Sequence, residues 1–174
     1  MAESRSGIIR NKVADYLMID DAYELMGTGF TSLNESPSAQ VDSVTYINES
    51  TSSSDITGYE TEFSYEANHI PSQKAIAELW ADGHDHRTGA DAQHTYVRVD
   101  LYNPVKNSTP SETSAEYIAR QFIVANEVSD YEGDGGEKIT VSGTLHAVGD
   151  PVMGKFDTVT KEFTAGTFTG TYKA

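Results

Sequence analysis

Two short segments of this chain bring histidines, carboxylates and glycines close enough in sequence to suggest cation binding or proton transfer. In the first, Asp82, His84 and His86 alternate with Gly83 and Asp85. The two histidines could bind a cation if another strand supplied a third ligand. The spacing matches no established zinc pattern, and polar residues commonly cluster where a helix ends. We therefore predict a polar helix end here and no metal site.

The second segment, Asp130–Glu137, mixes carboxylates with glycines and invites comparison with a calcium loop. It lacks the alternating acidic positions and the terminal glutamate of an EF-hand loop. A glycine-rich hairpin turn is the better interpretation. Gly27 and Gly29 do not form a phosphate loop, because no Gly-Lys-Ser/Thr sequence follows them.

Three glutamates, Glu60, Glu62 and Glu66, fall on one side of an alternating segment, Tyr59–Asn68. Paired carboxylates would be needed for a glycosidase. Three acids at outward positions of one strand fit a charged wall better than an acid–base pair. Since no Ser-His-Asp arrangement has local support either, we predict no catalytic residue, no cofactor and no enzymatic activity.

The acidic charge of the chain is concentrated in its first half. The formal net charge is −15, and the segment 13–73 contains eleven acids and no lysine or arginine. Such a one-signed field repels nucleic acid and attracts cations, which argues against a sequence-specific nucleic-acid binder. A simple contribution to solubility is the alternative. The eleven acids are Asp15, Asp20, Asp21, Glu24, Glu35, Asp42, Glu49, Asp55, Glu60, Glu62 and Glu66.

The composition favours a soluble β-rich domain. The 174 residues suit one domain, with 37% hydrophobic and 10% aromatic residues and ten tyrosines. The absence of cysteine excludes disulfides and thiolate metal sites. No apolar run has the length of a membrane span, and 1–12 lacks the apolar core of a signal peptide. We expect no membrane association and folding in the cytoplasm.

Hydrophobic periodicity predicts mostly strands and one helix. The helix has Ser72 as N-cap, an apolar stripe at Ile76, Leu79 and Trp80, and Gly83 as its C-terminal cap. The segment Tyr117–Ser129 is apolar on both faces, so we expect it to be covered on both sides. Loops are expected at Thr31–Gln40, Asn48–Asp55 and His84–Gln93, and strands at Lys12–Ile19, Tyr23–Met26, Val41–Ile47, Tyr59–Asn68, Thr95–Leu101, Tyr117–Ser129, Lys138–Val148 and Lys161–Tyr172.

Several of these segments together resemble the major tail proteins, or tail tube proteins, of long-tailed phages of Gram-positive bacteria. No single motif is diagnostic, and the order of polar loop, acidic strand, lone helix and long hairpin is more specific than any one piece. The resemblance covers most of the chain and is carried by Val44–Glu49, Asp55–Phe63, Asn68–Pro71, Glu78–Trp80, Tyr96–Tyr102, Arg120–Asn126 and Ile139–Leu145.

The resemblance implies a mainly β fold, a β-sandwich or barrel-like tail-tube domain with one flanking α-helix and a long loop. The domain would span 1–174, with an N-terminal arm at about 1–12 and a mobile loop at about 48–55. In the family, six copies close into a ring and the rings stack into a tube through which DNA passes, with a long loop and terminal arms bridging neighbouring rings. The implied partners are further copies of the chain, the tail terminator, the tape measure protein and the baseplate or distal tail proteins. The implied location is the virion tail, assembled in the host cytoplasm.

On this interpretation the acidic segment acquires a role. A lumen that carries DNA must not bind phosphates, so we expect Glu60, Glu62 and Glu66 to line it. Two alternatives stay open. One is the inner tube subunit of a contractile tail or injection system, and the other is a β-sandwich module that binds carbohydrate or calcium.

Overall fold

The computed structural model describes residues 7–172. Residues 1–6, the first half of the expected N-terminal arm, therefore lie outside the described residues. The single helix of this range is α1 (Lys74–His84), and short 3₁₀ turns occur at Arg10–Lys12 and Gly89–Ala92. The strands are β1 (Val13–Ile19), β2 (Ala22–Leu25), β3 (Phe30–Ser36), β4 (Ala39–Val44), β5 (Ser53–Tyr59), β6 (Glu62–Asn68), β7 (Gln93–Pro104), β8 (Glu116–Glu132), β9 (Thr140–Ala147), β10 (Val152–Asp157) and β11 (Glu162–Ala165).

Nine of the strands form one antiparallel sheet that curls into a half-barrel. Its order is β2-β1-β7-β8-β9-β6-β3, with β10 added to the first part of β8 and β11 added to β10. The long strand β8 therefore has β7 on one edge and both β9 and β10 on the other. The expected fold class, mainly β with one flanking helix, is confirmed.

Two apolar clusters lie on the two faces of this sheet. The larger cluster contains residues from strands at both ends of the strand order, such as Leu17 of β1 and Leu33 of β3, together with Leu79 of α1. It therefore fills the interior of the curl. The smaller cluster lies on the opposite face and centres on Phe156. The centroid of the Phe156 ring is 4.5 Å from the centroid of the Tyr16 ring.

The strands covered on both faces are β1 and β7 at their centres. All four residues of Tyr96–Val99 are buried. Tyr96 belongs to the interior cluster and Val97 and Val99 to the smaller one, while Arg98 lies over the ring of Phe63 in the interior. The expectation that Tyr117–Ser129 is covered on both sides is wrong for its second half, where Ile123 is 42% exposed. The reason is that β10 pairs only with Glu116–Gln121, so the second cluster ends there.

The predicted helix is present and packs on the interior, but its ends differ from the prediction. Ile76 and Leu79 are buried, while the N-cap is Gln73 rather than Ser72. Gly83 lies inside the last turn and is not a cap. A Cβ at Gly83 would lie 2.7 Å from Cβ of Val128 and would also collide with the hydroxyl of Tyr131, so glycine lets the helix approach β8 closely.

Several loop and strand assignments from the sequence are wrong. The polar segment Thr31–Gln40 contains β3, which pairs with β6 from Ser32↔Glu66 to Ser36↔Glu62. The segment Tyr59–Asn68 is interrupted at 60–61, between β5 and β6. The C-terminal strand is limited to Glu162–Ala165, and β10 was not predicted. Backbone pairing with a neighbour, rather than local apolar periodicity, decides each of these cases.

Strands β4 and β5 form a separate antiparallel hairpin outside the main sheet. We call this hairpin with its connecting loop (residues 39–59) the arm. Every residue of the two strands is exposed except the half-buried Gly58. The expected loop at 48–55 comprises part of the arm tip and the first three residues of β5.

Candidate functional site

An outward surface of the sheet carries acids and hydroxyl groups. On β6, Phe63, Tyr65 and Ala67 are buried in the interior, whereas Ser64 and Glu66 are exposed. Glu62 lies on the same outward side, because side chains alternate along a strand. The predicted alternation therefore holds for this strand, and it presents Glu62 and Glu66 together.

The neighbouring strands extend this surface with more polar side chains. On β9, Ser142, Thr144 and His146 lie opposite Glu66, Ser64 and Glu62. On β3, the outward residues opposite the same three positions are serine or asparagine. We call the outward residues of β3, β6 and β9 the polar face. These three strands contain no lysine or arginine, so the face has no permanent positive charge with which to hold a phosphate.

Glu60 does not lie on the polar face. It stands in the break between β5 and β6, at the root of the arm, and its backbone N–H donates to the carbonyl of Ser38 at 3.1 Å. The three glutamates expected on one strand are thus divided between two places.

His146 bridges two acids on this surface. Its Nδ1 lies 3.2 Å from Glu62 Oε1, and its Nε2 lies 2.7 Å from Glu127 Oε2 of β8. The alternation of Lys138–Val148 places His146 among threonines and serines, but only the register of β9 with β6 and β8 brings it to these acids.

The interior of the half-barrel contains a ladder of charged side chains, of which Asp15 and Arg98 are buried. Asp15 accepts hydrogen bonds from Tyr96 Oη and Arg10 Nη2. Next in the ladder, Arg98 lies 3.4 Å from Glu35, which accepts two hydrogen bonds from Arg120 at 2.7 and 2.8 Å. The ladder links β1, β7, β3 and β8, so its role is structural.

Burial raises the pKa of two groups associated with this ladder, Tyr96 and Asp100. It raises the pKa of the Tyr96 hydroxyl well above its usual value. It also raises the pKa of Asp100, although the neighbouring Arg120 acts in the opposite direction. Both groups take part in contacts that hold the interior together: Tyr96 donates to Asp15, and Asp100 lies near Arg120.

The Asp-Gly-His-Asp-His segment does not assemble a site from its histidines. The ring of His84 stacks on that of Trp80 with 4.2 Å between the ring centroids, and His86 is exposed. Asp82 instead points inward and accepts hydrogen bonds from Asn126 at 2.7 Å and from Arg87 at 3.1 Å, with His94 Nε2 2.6 Å from it.

Within 7–172, the one group of three residues spaced to hold a metal ion is Glu78, Asp82 and His94. Arg87 Nη1 donates to Glu78 at 2.6 Å as well as to Asp82. A positive charge of the protein therefore already occupies the space between the carboxylates. The cluster ties α1 to β7 and β8.

The segment Asp130–Glu137 forms the end of β8 and its turn into β9, as predicted. Among the described residues, its carboxylates do not form a group spaced for one cation. No helix in the described part of the chain has the length and apolar character to cross a bilayer.

No family model and no curated protein matches this sequence. Solved structures with a similar fold do exist. One is a chain in the tail of an empty GTA particle solved with C6 symmetry, with a TM-score of 0.57, 10% identity, and coverage of 84% of this chain and 98% of that chain. Another is a chain in the six-fold symmetrised baseplate of the anti-feeding prophage, with a TM-score of 0.50, 8% identity, and coverage of 85% and 95%. The chain thus has a fold that it shares with chains of phage-type tail and baseplate assemblies.

Proposed function

We propose that this chain is a phage tail tube protein, whose copies close into hexameric rings that stack into the conduit for DNA ejection. The observation that carries the proposal is the likeness to a chain of a C6-symmetric tail, which extends over 84% of this chain. The domain 1–174 then acts as one structural unit in the virion tail, assembled in the host cytoplasm, without enzymatic activity. Its partners are further copies of the chain, the tail terminator, the tape measure protein and the baseplate or distal tail proteins.

The open edges of the sheet support ring formation. Strands β2 and β3 end the strand order, so each has one edge without a backbone partner in the described chain. Exposed edges invite pairing with other chains. Closing the sheets of six copies into a ring satisfies these edges, as in any closed barrel.

The polar face is the proposed wall of the lumen. Glu62 and Glu66 lie on it beside serine and threonine hydroxyls, and Glu60 contributes from the arm root. Carboxylates repel DNA phosphates, and hydroxyl groups keep the wall hydrated without adding charge. DNA would then pass without binding.

The oligomeric state tests the assembly proposal. We expect the purified chain at high concentration to form rings or tubes with a central hole, visible by negative-stain electron microscopy. Light scattering after size exclusion should give multiples of six copies. A chain that stays monomeric across concentration and salt would overturn the proposal.

Charge reversal tests the lumen assignment. Replacing Glu60, Glu62 and Glu66 with lysine should leave tubes intact but make them retain DNA in co-sedimentation and impair ejection. The matched control reverses three exposed acids elsewhere: Glu112, Glu137 and Glu162. Equal DNA retention by both triple variants would contradict the assignment, as would an assembled structure with the polar face outside.

A second candidate is an inner tube subunit of a contractile tail or injection system. The likeness to a baseplate chain favours it, since the same fold then serves in more than one kind of six-fold assembly. Co-purification of the assembled tube with a surrounding sheath protein would distinguish it from the first candidate.

A further inference from the structure

Two aspartates of this chain are followed by glycine, and the fold places them in opposite environments. One is Asp82, with Gly83 after it, and the other is Asp134, with Gly135 after it. The backbone nitrogen that follows an aspartate can attack the side-chain carboxyl. Glycine favours this reaction, because it has no side chain to obstruct the approach and its backbone is conformationally free. The surroundings of each aspartate then determine which of the two reacts.

The first aspartate is fixed by its contacts. The Asp82 side chain is buried and accepts hydrogen bonds from Asn126 and Arg87. His94 Nε2 lies 2.6 Å from the same carboxylate. Gly83 lies inside the last turn of α1. A ring between Asp82 and the Gly83 nitrogen would break the helical backbone and these contacts, so its formation requires local unfolding.

The second aspartate lies in an open turn. Residues 133–139 connect β8 to β9, and all of them are exposed. The backbone N–H of Glu137 donates to the carbonyl oxygen of Asp134 at 2.9 Å, and the Asp134 carboxylate takes no part in this bond. Asp134 lines an open groove of about 500 Å³. A Cβ built on Gly135 or Gly136 would meet nothing within 4 Å, so the backbone of this turn has room to rearrange.

We propose that Asp134 is a site of isoaspartate formation in the folded protein. The Gly135 nitrogen attacks Cγ of the protonated Asp134 carboxyl, so that a C–N bond forms and a C–O bond breaks. The hydroxyl group leaves with the amide proton as one molecule of water, and the product is a cyclic succinimide. Water then adds across one of the two imide C–N bonds. This hydrolysis restores aspartate or gives isoaspartate, in which the main chain runs through the Asp134 side chain.

The modification changes the surface of the protein and leaves its interior intact. The succinimide lacks the negative charge of Asp134. Isoaspartate restores that charge but lengthens the main chain close to Glu132 and Thr140, the last pair of the β8–β9 ladder. Because the turn contributes no buried side chain, the core packing is retained. The exposed α-carboxylate of isoaspartate is the group that isoaspartyl methyltransferases methylate, so the modified chain becomes a methyl acceptor.

Peptide mass spectrometry of aged protein tests the proposal. The purified chain is kept for several weeks at neutral pH and physiological temperature, either folded or in urea, and is then digested with trypsin. The tryptic peptides 75–87 and 121–138 separate Asp82 from Asp134. Succinimide is detected as the loss of one water, and electron-transfer fragmentation distinguishes isoaspartate from aspartate and locates it in the peptide.

In the folded protein we expect the products to form at least about tenfold faster at Asp134 than at Asp82, because only Asp82 requires opening of the helix. In urea the two rates should become similar, since both aspartates then precede glycine in an unfolded chain. Equal rates in the folded protein would overturn the proposal. The same rate difference in urea would also overturn it, because the fold would then not be the cause.

Substitutions in and beside the turn locate the reaction. Asp134→Glu should abolish the products, because the longer side chain closes a less favourable ring. Gly135→Ala should slow their formation several-fold, since the added methyl group obstructs the nitrogen but contacts nothing else in the fold. The matched control is Asp130→Glu, at an exposed position of β8 that precedes a tyrosine, and it should react at the parental rate.

All three variants should keep the circular dichroism spectrum and melting temperature of the parent. Succinimide or isoaspartate in peptide 121–138 that persists at the parental level in Asp134→Glu would place the reaction elsewhere and overturn the proposal. Isoaspartate formation needs no second copy of the chain. The test therefore uses unassembled protein, and its outcome is independent of the tube assignment.

Discussion

Gly143 of β9 provides a sharp test of the packing beneath the polar face. A Cβ built on this residue would overlap the backbone carbonyl of Glu127 and would lie 2.6 Å from Oη and 2.8 Å from Cζ of Tyr65. Real Cβ atoms do not approach other atoms this closely. We therefore expect Gly143→Ala to displace the Tyr65 ring or to separate β9 from β8.

The expected loss in the free energy of unfolding follows from the groups that Gly143→Ala must displace. Overpacking a filled interior costs roughly 1–3 kcal/mol. Displacing Tyr65 also weakens its 2.9 Å hydrogen bond to Asn126 Oδ1, worth about 1 kcal/mol. The expected loss in the free energy of unfolding is about 2–4 kcal/mol. For a chain of this size each kcal/mol lowers the melting temperature by roughly 2–4 °C.

The assay is urea unfolding and thermal melting of unassembled protein, followed by circular dichroism. The matched control is Gly58→Ala in β5, where an added Cβ would meet nothing within 4 Å. That control should leave stability unchanged or raise it slightly, because alanine restricts the unfolded chain. If Gly143→Ala proved as stable as Gly58→Ala, the close packing of Tyr65 on β9 would be refuted.

Two further predictions concern charged groups. Replacing Glu35 with alanine leaves Arg98 and Arg120 without their shared carboxylate and should lower the free energy of unfolding, measured with urea, by about 3 kcal/mol. Glu35→Gln should lower it less, because the amide carbonyl still accepts a hydrogen bond from Arg120. Equal losses for the two variants would contradict the bidentate contact. Burial opposes the ionisation of Asp157, but hydrogen bonds from Ser114 Oγ and from the backbone N–H of Ala115 and Val159 outweigh it and lower the pKa of this carboxyl. Its folded pKa lies below the unfolded value of about 3.9, so its contribution to stability is present above about pH 4 and is lost as pH falls through the folded pKa. Urea midpoints of wild type and Asp157→Asn should therefore differ at pH 6 and converge near pH 2, and a constant difference would argue against these bonds to the ionised form.

The local sequence pattern was sufficient to predict the elements whose side chains alternate between interior and solvent. The strands at Phe63–Ala67 and Val141–Leu145 and the stripe of Ile76 and Leu79 were predictable, because burial of one face imposes a period of two or 3.6 residues. Glu62 and Glu66 were placed on one outward face for the same reason. The concentration of acids without lysine or arginine is likewise a property of the sequence alone.

Pairing between distant segments could not be derived from local pattern. The segment Thr31–Gln40 looks like a polar loop, yet β3 forms there because β6 offers a backbone edge and the interior accepts Leu33. His146 meets Glu62 and Glu127 only through the register of three strands.

The sequence by itself therefore determined an acidic, β-rich chain with one helix on its flank and a segment, 13–73, without lysine or arginine. The tertiary structure decided that Glu60 leaves the strand of Glu62 and Glu66, that Asp82 binds Arg87 and His94 rather than joining His84 and His86, and that Asn48–Asp55 belongs to a hairpin arm. The physical reason is the same in each case. Alternation and charge are local quantities, whereas a side chain's partners depend on which distant backbone edges pair and where the sheet stays open.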